Sequence, residues 1–457
     1  MTVKNVFLGF LISMMLLTPS INIGGPSFVR TLDTYANVFF IFYFILFTPR
    51  QFFGLRLPLW PVFGVLLVIL IQIIFLEIVY EHGDSTGFII ITRSFITVFA
   101  TLACAQLLID KYKSGSLKVF VNIIIICVII QGLVLWFTFL STDFRDLMSV
   151  FFYRDINSES IHLIKLRTPG FVATGGDGLS MNHALLSVVG LMGTYIFYSN
   201  SRYLNFLVAI LSICMIATTF SGQSGLYMGI IFFVAIIVTR NCNFQIRKKI
   251  LSVFVFTIAI LLPIFIFRQE IGFLGQSLLD SYGYEYPLVR LLRGFIDYQG
   301  SGQFTNDTIS VLLTDMVIIP SEPLRFLVGN NDFGQQVRST IYTDVGYFRM
   351  WHGIGLFGLI VFLAGIFIFP VIYTYRAMRT VRRVTKDRFS FGFVVALYQL
   401  LLFVFVFGLI GNYKIFFLST RIYLFMFFIL FILVQYQYQT LRAKQLQYKY
   451  TGEVCVA

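Results

Sequence analysis

The sequence predicts an all-α polytopic membrane protein with about twelve transmembrane helices. Hydrophobic residues make up 58% of the 457-residue chain, and charged residues make up only 12%. Apolar runs of about 18 residues, the length that spans a bilayer, recur from one end of the chain to the other. Lys and Arg gather in alternate connections between these runs, which is typical of connections that stay in the cytoplasm. We therefore expect residues 1–457 to form a single integral membrane domain.

The first apolar run is interpreted as a retained helix. One Lys precedes it, and it ends without the small-residue cleavage site of a removed signal peptide. The predicted spans cover roughly residues 3–20, 34–48, 57–78, 88–109, 117–140, 179–198, 203–219, 224–239, 250–267, 346–374, 390–411 and 415–435.

The basic residues set the predicted orientation. With the N-terminus in the cytoplasm, the most basic connections, 240–249 and 376–388, both fall inside, and segment 436–457 becomes a polar cytoplasmic tail. The net charge of +13 is thus a signal of topology. Nucleic-acid binding is excluded, because no soluble module gathers the basic residues. None of the five cysteines falls in a predicted outside loop, and no Cys/His cluster has zinc spacing, so we expect neither disulfides nor a metal or other cofactor.

Two predicted outside loops are long, 141–178 and 268–345, and loops of this length are usually functional or disordered. In the second loop, apolar residues from Leu288 to Phe295 repeat at helical spacing, which predicts a short amphipathic helix at the membrane surface or against the bundle. Arg290 and Arg293 would share one face of it. They could bind phosphate or simply solvate the helix, and the same two readings apply to Arg338.

The first long loop ends in "LRTPGFVATGGDGLSMNHALL", residues 166–186. Arg167 precedes a glycine-rich turn that contains Asp177 and Gly178, and a span follows. Free backbone N–H groups in such a turn and at a helix start can bind an anion. The alternative is an ordinary turn capped by Asp177 or Ser180.

The stretch "YTDVGYFRMWHGIGLFGLIVFLAGIFIFP", residues 342–370, is a span with an unusual entrance. Asp344, Arg349 and His352 are ionisable and lie within nine residues. Asp344 could be an N-cap. Arg349 and His352 fall one and two turns into the span, where a charge is costly unless it faces a polar cavity or a partner.

These motifs, in this order and with "FSGQSGLYMG" and "FLVGNNDFG" between them, resemble the O-antigen polymerase (Wzy) family of bacterial inner membranes. The most specific likeness is the stretch that contains Asp344, Gly346, Tyr347 and Arg349. Arg167 and Gly178 match an Arg followed eleven positions later by Gly in some members. Where many members have a Ser-Gly-Arg turn, this chain has Gln223 in place of the Arg, which removes a charge.

The resemblance implies a GT-C-like, metal-independent, inverting glycosyltransferase of the inner membrane, with both termini cytoplasmic and a periplasmic active site. It would move a growing glycan from undecaprenyl diphosphate onto a sugar hydroxyl of a new lipid-linked repeat, with a chain-length regulator and a flippase as candidate partners. Asp344 would be the base, with His352 as the alternative base. Contacts to the diphosphate and the sugars would come from Arg349 and from a further set: Arg167, Asp177, Gly178, Gln223, Arg290, Arg293, Arg338 and Tyr347.

Two other functions remain open. An O-antigen ligase would hand the same glycan to a lipid A core, but the His-Asn pair usual in ligases is absent where Thr343 and Asp344 stand. A lipid-linked oligosaccharide flippase should carry its polar residues inside the bundle in two related halves, whereas here they lie on the outside loops.

Overall fold

The regular secondary structure of the computed structural model is helical in the part of the chain that it describes. That part comprises residues 3–21, 31–47, 59–80, 85–152, 170–171, 177–240, 266–283, 316–334, 345–384, 388–414 and 420–451, with Val289, Leu292, Phe295, Ile296, Gln299 and Thr343. The α-helices are α1 (Val3–Leu17), α2 (Leu32–Phe47), α3 (Trp60–Tyr80), α4 (Thr86–Tyr112), α5 (Ser116–Leu140), α6 (Thr142–Phe151), α7 (Asp177–Phe197), α8 (Leu204–Ile216), α9 (Gln223–Arg240), α10 (Arg268–Tyr282), α11 (Pro323–Val328), α12 (Gly346–Phe362), α13 (Phe369–Val384), α14 (Arg388–Lys414) and α15 (Arg421–Thr451).

Six helical stretches among the described residues are long and apolar enough to cross a membrane. They are Trp60–Tyr80, Thr86–Leu140, Gly178–Phe197, Gly346–Arg383, Gly392–Tyr413 and Arg421–Gln445. Four shorter apolar helices accompany them: Val6–Leu17, Leu32–Leu46, Leu204–Phe220 and Ser224–Ile236. The predicted class, an all-helical multi-pass membrane protein, is confirmed at this level. The count of twelve spans and the GT-C likeness stay predictions, and the predicted span 250–267 lies almost entirely outside the described residues.

Helix α15 is the centre of the bundle. Every side chain from Ile422 to Gln435 is buried, which is how a helix that is apolar on all sides behaves. It packs against α1, α4, α5, α13 and α14. Helix α4 carries a run of small buried residues, Ala100 to Ala105 with one leucine among them, and small side chains allow helix backbones to approach closely. By contrast, α3 leaves about half of its apolar side chains exposed, as a lipid-facing helix would.

One end of the bundle carries the polar contacts that matter for the candidate site. Helices α2, α12 and α15 begin there, whereas α3 and α14 end there, as their mutual side-chain contacts show. We call it the Arg349 end.

The connections are more helical than the sequence predicts. Three of the helices lie in the predicted loops, α6 in 141–178 and α10 and α11 in 268–345, and α15 continues through most of the predicted tail 436–457. The span predicted at 346–374 runs on to Val384 through a π-helical turn at Leu363–Ile368.

The predicted amphipathic segment near Leu288 is described at only a few positions. Its residues Leu292 and Ile296 pack so closely on α10 that a Cβ at Gly275 would lie 3.2 and 2.7 Å from their side chains. The segment therefore lies against α10. Arg290 and Arg293 fall outside the described residues.

Candidate functional site

Thr343 fixes the entrance of α12. Its hydroxyl donates to the carbonyl oxygen of Met316 at 2.8 Å and accepts from the N–H of Val345 at 3.2 Å. Its own carbonyl accepts from Nε of Arg349 at 2.5 Å. The N-cap position of α12 is held by Val345, whose side chain cannot cap a helix. Asp344 lies outside the described residues, but both of its chain neighbours are buried and one of them binds the Arg349 guanidinium.

Tyr347 joins α12 to α14. Its half-buried hydroxyl donates to the carbonyl oxygen of Leu409 at 2.6 Å. The ring of Tyr423, near the start of α15, packs directly on Gly408, next to that carbonyl. The starts of α12 and α15 thus meet the end of α14. A substrate contact for Tyr347 stays a prediction.

The loop that follows α11 folds back against α12 and pairs with its backbone. The N–H of Asn330 donates to the carbonyl oxygen of His352 at 2.8 Å, and the N–H of Asn331 donates to that of Gly353 at 3.0 Å. All of residues 330–333 are buried, although a loop usually lies at the surface. This back-folded loop, residues 329–334, belongs to the predicted second outside loop.

Helix α12 is broken at Gly355, where φ is 67° and ψ is 175°. This positive φ suits a residue without a Cβ, because any side chain there would be strained. Backbone groups freed at membrane depth need partners. The side-chain amide of Gln72 in α3 donates to the carbonyl oxygen of Ile354 beside the break and to that of Val328 at the end of α11, each at 2.8 Å. The break in α12 is therefore stabilised by tertiary hydrogen bonds.

Phe333 anchors the back-folded loop between two helices. A Cβ at Gly87 in α4 would lie 2.4 Å from the ring, and a Cβ at Gly353 in α12 would lie equally close. The ring therefore occupies the room that two glycines leave. Nearby, the side-chain amide of Asn331 donates to Glu77 Oε2 at 2.6 Å, which ties the loop to α3.

His352 faces this loop. Its side chain is 9% exposed, and Nε2 lies 3.0 Å from the carbonyl oxygen of Ile318. A carbonyl can only accept, so Nε2 carries the hydrogen in that bond and Nδ1 would have to take a substrate proton. Among the residues with described positions, the charged groups in electrostatic range of His352 are Asp332 and Arg325. The alternative role of His352 as base stays a prediction.

A second group of charges lies at the Arg349 end, between α2, α4 and α15. Nη1 of Arg421 lies 2.6 Å from Oδ2 of Asp33 and donates to the hydroxyl of Thr34 at 3.1 Å. Arg93 is within electrostatic range of both Arg421 and Asp33. The sequence analysis did not single out these residues. The signal that could have found Arg93 is the one used for Arg349, a charge inside an apolar run.

The end of the first long loop approaches this group. The N–H of Ser20 donates to the carbonyl oxygen of Phe171 at 2.9 Å, and Ser20 pairs with Thr31. The hydroxyls of Thr31 and Thr34 are 3.0 Å apart, and Thr34 is the residue that Arg421 contacts. The chain four residues after Arg167 is therefore anchored beside these charges.

The starts of α7 and α9 are joined by Ser180. Its hydroxyl donates to the carbonyl oxygen of Gly222 at 2.7 Å and accepts from the N–H of Gly225 at 2.8 Å. The Ser180 hydroxyl thus ties α7 to the first turn of α9, and the anion site proposed at the glycine-rich turn before α7 stays a prediction. A Cβ on Gly178 would meet open space.

Of the predicted site residues, the structure brings Tyr347, Arg349 and His352 together on the first turns of α12 and places Gly178 at the start of α7. Only the backbone of Asp177 and Gln223 is described. The others lie outside the described residues: Arg167, Arg290, Arg293, Arg338 and Asp344.

Among the residues with described positions, no three of His, Cys, Asp and Glu are grouped so that they could hold a metal ion. No protein-family model, characterised protein or solved structure matches the chain.

Proposed function

We propose that this protein is a membrane glycosyltransferase that polymerises lipid-linked oligosaccharide repeats. It transfers the growing glycan from undecaprenyl diphosphate onto a hydroxyl of a new lipid-linked repeat, at the Arg349 end of the bundle, which faces the periplasm of the bacterial inner membrane. The proposal rests on the resemblance of the "TDVGYFRMWHGIG" stretch to the O-antigen polymerase family and on the geometry around it.

The observation that carries the proposal is the bond from Arg349 Nε to the carbonyl oxygen of Thr343. It holds a guanidinium against the residue that precedes Asp344, at the mouth of an apolar helix. A cation at this position needs a reason, because charges within spans are costly and usually functional. A diphosphate leaving group supplies one, since developing negative charge is stabilised by fixed cations.

The proposed reaction is a single displacement. The acceptor hydroxyl oxygen attacks the anomeric carbon of the donor glycan, and the bond from that carbon to the diphosphate oxygen breaks. The electron pair of that bond leaves with undecaprenyl diphosphate, and the configuration at the anomeric carbon is inverted. The hydroxyl proton passes to the Asp344 carboxylate, the general base. Arg349 holds the departing diphosphate without a metal ion.

The surroundings support a rigid site at this position. Tyr347 ties the first turn of α12 to α14, and Gln72 ties the break at Gly355 to α3. Groups held by packing and hydrogen bonds do not have to reorganise during the reaction, which is the main source of electrostatic catalysis.

Deletion of the gene tests the function in the cell. A polymerase predicts surface glycan reduced to the core with one repeat, whereas a ligase predicts loss of all glycan from the core and a flippase predicts that lipid-linked repeats accumulate inside. Complementation with Arg349→Ala should restore little polymer, because loss of one stabilising donor typically costs about 10²-fold in turnover. Arg383→Ala is the matched control, since Arg383 is an exposed arginine near the last residue of α13, away from the Arg349 end. Full polymer from the Arg349→Ala gene would contradict the proposed role.

A further inference from the structure

Three charged residues at the Arg349 end, Asp33, Arg93 and Arg421, form what we call the α2–α4–α15 cluster. Its only anion is buried, because the Asp33 side chain is 1% exposed and its Oδ2 already pairs with Arg421 at 2.6 Å. Two guanidinium groups thus share one carboxylate, and the three residues carry a net charge of +1.

Arg93 forms no direct bond in the described part of the chain, although Asp33 lies within its electrostatic range. Its guanidinium makes no hydrogen bond and no ion pair there, although all of its N–H groups are donors. It lies roughly two turns into α4, inside a stretch that is apolar enough to cross a membrane. An arginine without a bonded partner at such a position is costly and is usually there to meet a ligand or a polar pathway.

The side chains around Arg93 on α4 and α2 are apolar and exposed among the described residues. Arg93 is exposed and lies on the same stripe of α4 as Ile89 and Ile96, which are 39% and 38% exposed. On the adjacent helix α2, Tyr35 and Val38 are also exposed. A ligand that reaches this arginine can therefore arrive sideways from the bilayer.

Arg421 is a second cation of the cluster that a bound anion would stabilise. It is the first residue of α15, where the helix dipole is positive and a cation is unfavourable unless a negative group is near. Its side chain is 23% exposed, so the contact with Asp33 does not enclose it. Arginine pairs of this kind recognise phosphate oxygens through paired N–H groups.

We propose that Arg93 and Arg421 bind the phosphate end of a membrane lipid, and that this lipid is the polyprenyl diphosphate of a lipid-linked substrate. The assignment of the lipid rests on the proposed function, which uses two such lipids, a donor and an acceptor. Arg349 holds one diphosphate at the entrance of α12. The α2–α4–α15 cluster, a separate group of cations at the same end, holds the other.

The test is binding of undecaprenyl diphosphate to the purified full chain in phosphatidylcholine nanodiscs. In an Arg349→Ala background, where only the cluster can hold the lipid, Arg93→Gln should weaken binding roughly tenfold or more, because a charge-assisted contact is lost. It should leave the unfolding midpoint unchanged, because Arg93 makes no bond within the described part of the protein. Arg383→Gln makes the same change away from the Arg349 end, near the last residue of α13, and should leave binding unchanged. Unchanged binding when Arg93→Gln is added to Arg349→Ala would overturn the proposal.

Two further arms identify the lipid and the role of Asp33. Excess phosphatidylglycerol should not displace undecaprenyl diphosphate. Displacement at equal phosphate concentration would mean that the cluster binds any lipid phosphate. That result would overturn the assignment of the lipid. Asp33→Asn should tighten binding, since it removes the competing carboxylate, and weaker binding by a folded Asp33→Asn protein would contradict the account.

The outcome of this binding test is separate from that of the proposed function. If binding depends on Arg93 but the protein makes no polymer, the binding site stands and the proposed function is wrong. If the protein makes polymer but Arg93→Gln binds the lipid unchanged, the proposed function stands and the binding site is wrong.

Discussion

Replacing Gly353 by Ala should displace the back-folded loop. The added Cβ would lie 2.4 Å from Cε1 and Cζ of Phe333, whereas carbon atoms pack favourably at about 3.5–4.0 Å. The ring would have to move by about 1 Å or more. Movement towards α4 would press the ring on the α4 backbone, because the ring already fills the space where a Cβ of Gly87 would stand.

Overpacking of this kind costs about 1–3 kcal/mol, and the gain in helix propensity from Gly to Ala offsets at most about 1 kcal/mol. We therefore expect a net destabilisation of about 1–2 kcal/mol, seen as a lower unfolding midpoint of the purified protein in detergent. Trp351 can report the change by fluorescence, because its indole N–H donates at 2.9 Å to the carbonyl oxygen of Phe326 in α11, the helix that leads into the loop.

The matched control is Gly64→Ala in α3, where the new Cβ meets nothing within 4 Å and the midpoint should stay or rise. Adding Phe333→Leu to Gly353→Ala should recover part of the loss, since the smaller side chain leaves room. An unfolding midpoint of Gly353→Ala equal to that of Gly64→Ala would refute the proposed packing of the loop.

Three further predictions concern topology, metal and the first long loop. In a cysteine-free background, Cys at Ser158 or Asn306 should react with an impermeant thiol reagent in spheroplasts and Cys at Thr385 should not, and labelling at Thr385 alone would invert the orientation. Purified protein should polymerise lipid-linked repeats in excess chelator, and activity that vanished and then returned with magnesium or manganese would contradict catalysis by arginines. Arg167→Ala should impair polymerisation strongly and Arg167→Lys should rescue it only in part, because a point charge replaces a planar fork. Full activity of a normally expressed Arg167→Ala protein would make Arg167 a solvated loop residue.

Helix positions follow from hydropathy more reliably than helix ends do. The predicted span 88–109 falls within α4, and the predicted span 117–140 within α5. The prediction 415–435 misses both ends of α15, which begins at Arg421 and continues to Thr451. Hydropathy measures where a segment suits lipid, whereas backbone hydrogen bonding continues the helix into polar sequence, so the two boundaries differ.

The entrance of α12 shows what a local pattern cannot reveal. The spacing of Arg349 and His352 correctly placed both on the first turns of one helix. The sequence could not show that His352 faces a back-folded loop or that Gln72 holds the break at Gly355. The two carbonyls that Gln72 binds are 256 and 282 residues away, and a pairing over that distance is set by tertiary packing.

The same limit applies to the α2–α4–α15 cluster. Each of Asp33, Arg93 and Arg421 by itself resembles an ordinary charge near the end of a span. Their importance appears only when three helices that are distant in the sequence bring them together.

The most direct test of the proposed reaction is the rate at which purified Asp344→Asn protein joins lipid-linked repeats, compared with the wild type. Asn keeps the shape and the capping ability of Asp but cannot take a proton. We predict a fall of roughly 10²-fold or more in polymer formed per unit time, with undecaprenyl diphosphate bound as tightly as before. Wild-type polymer from Asp344→Asn would contradict the assignment of the base, and if His352→Ala were inactive beside it, that role would belong to His352.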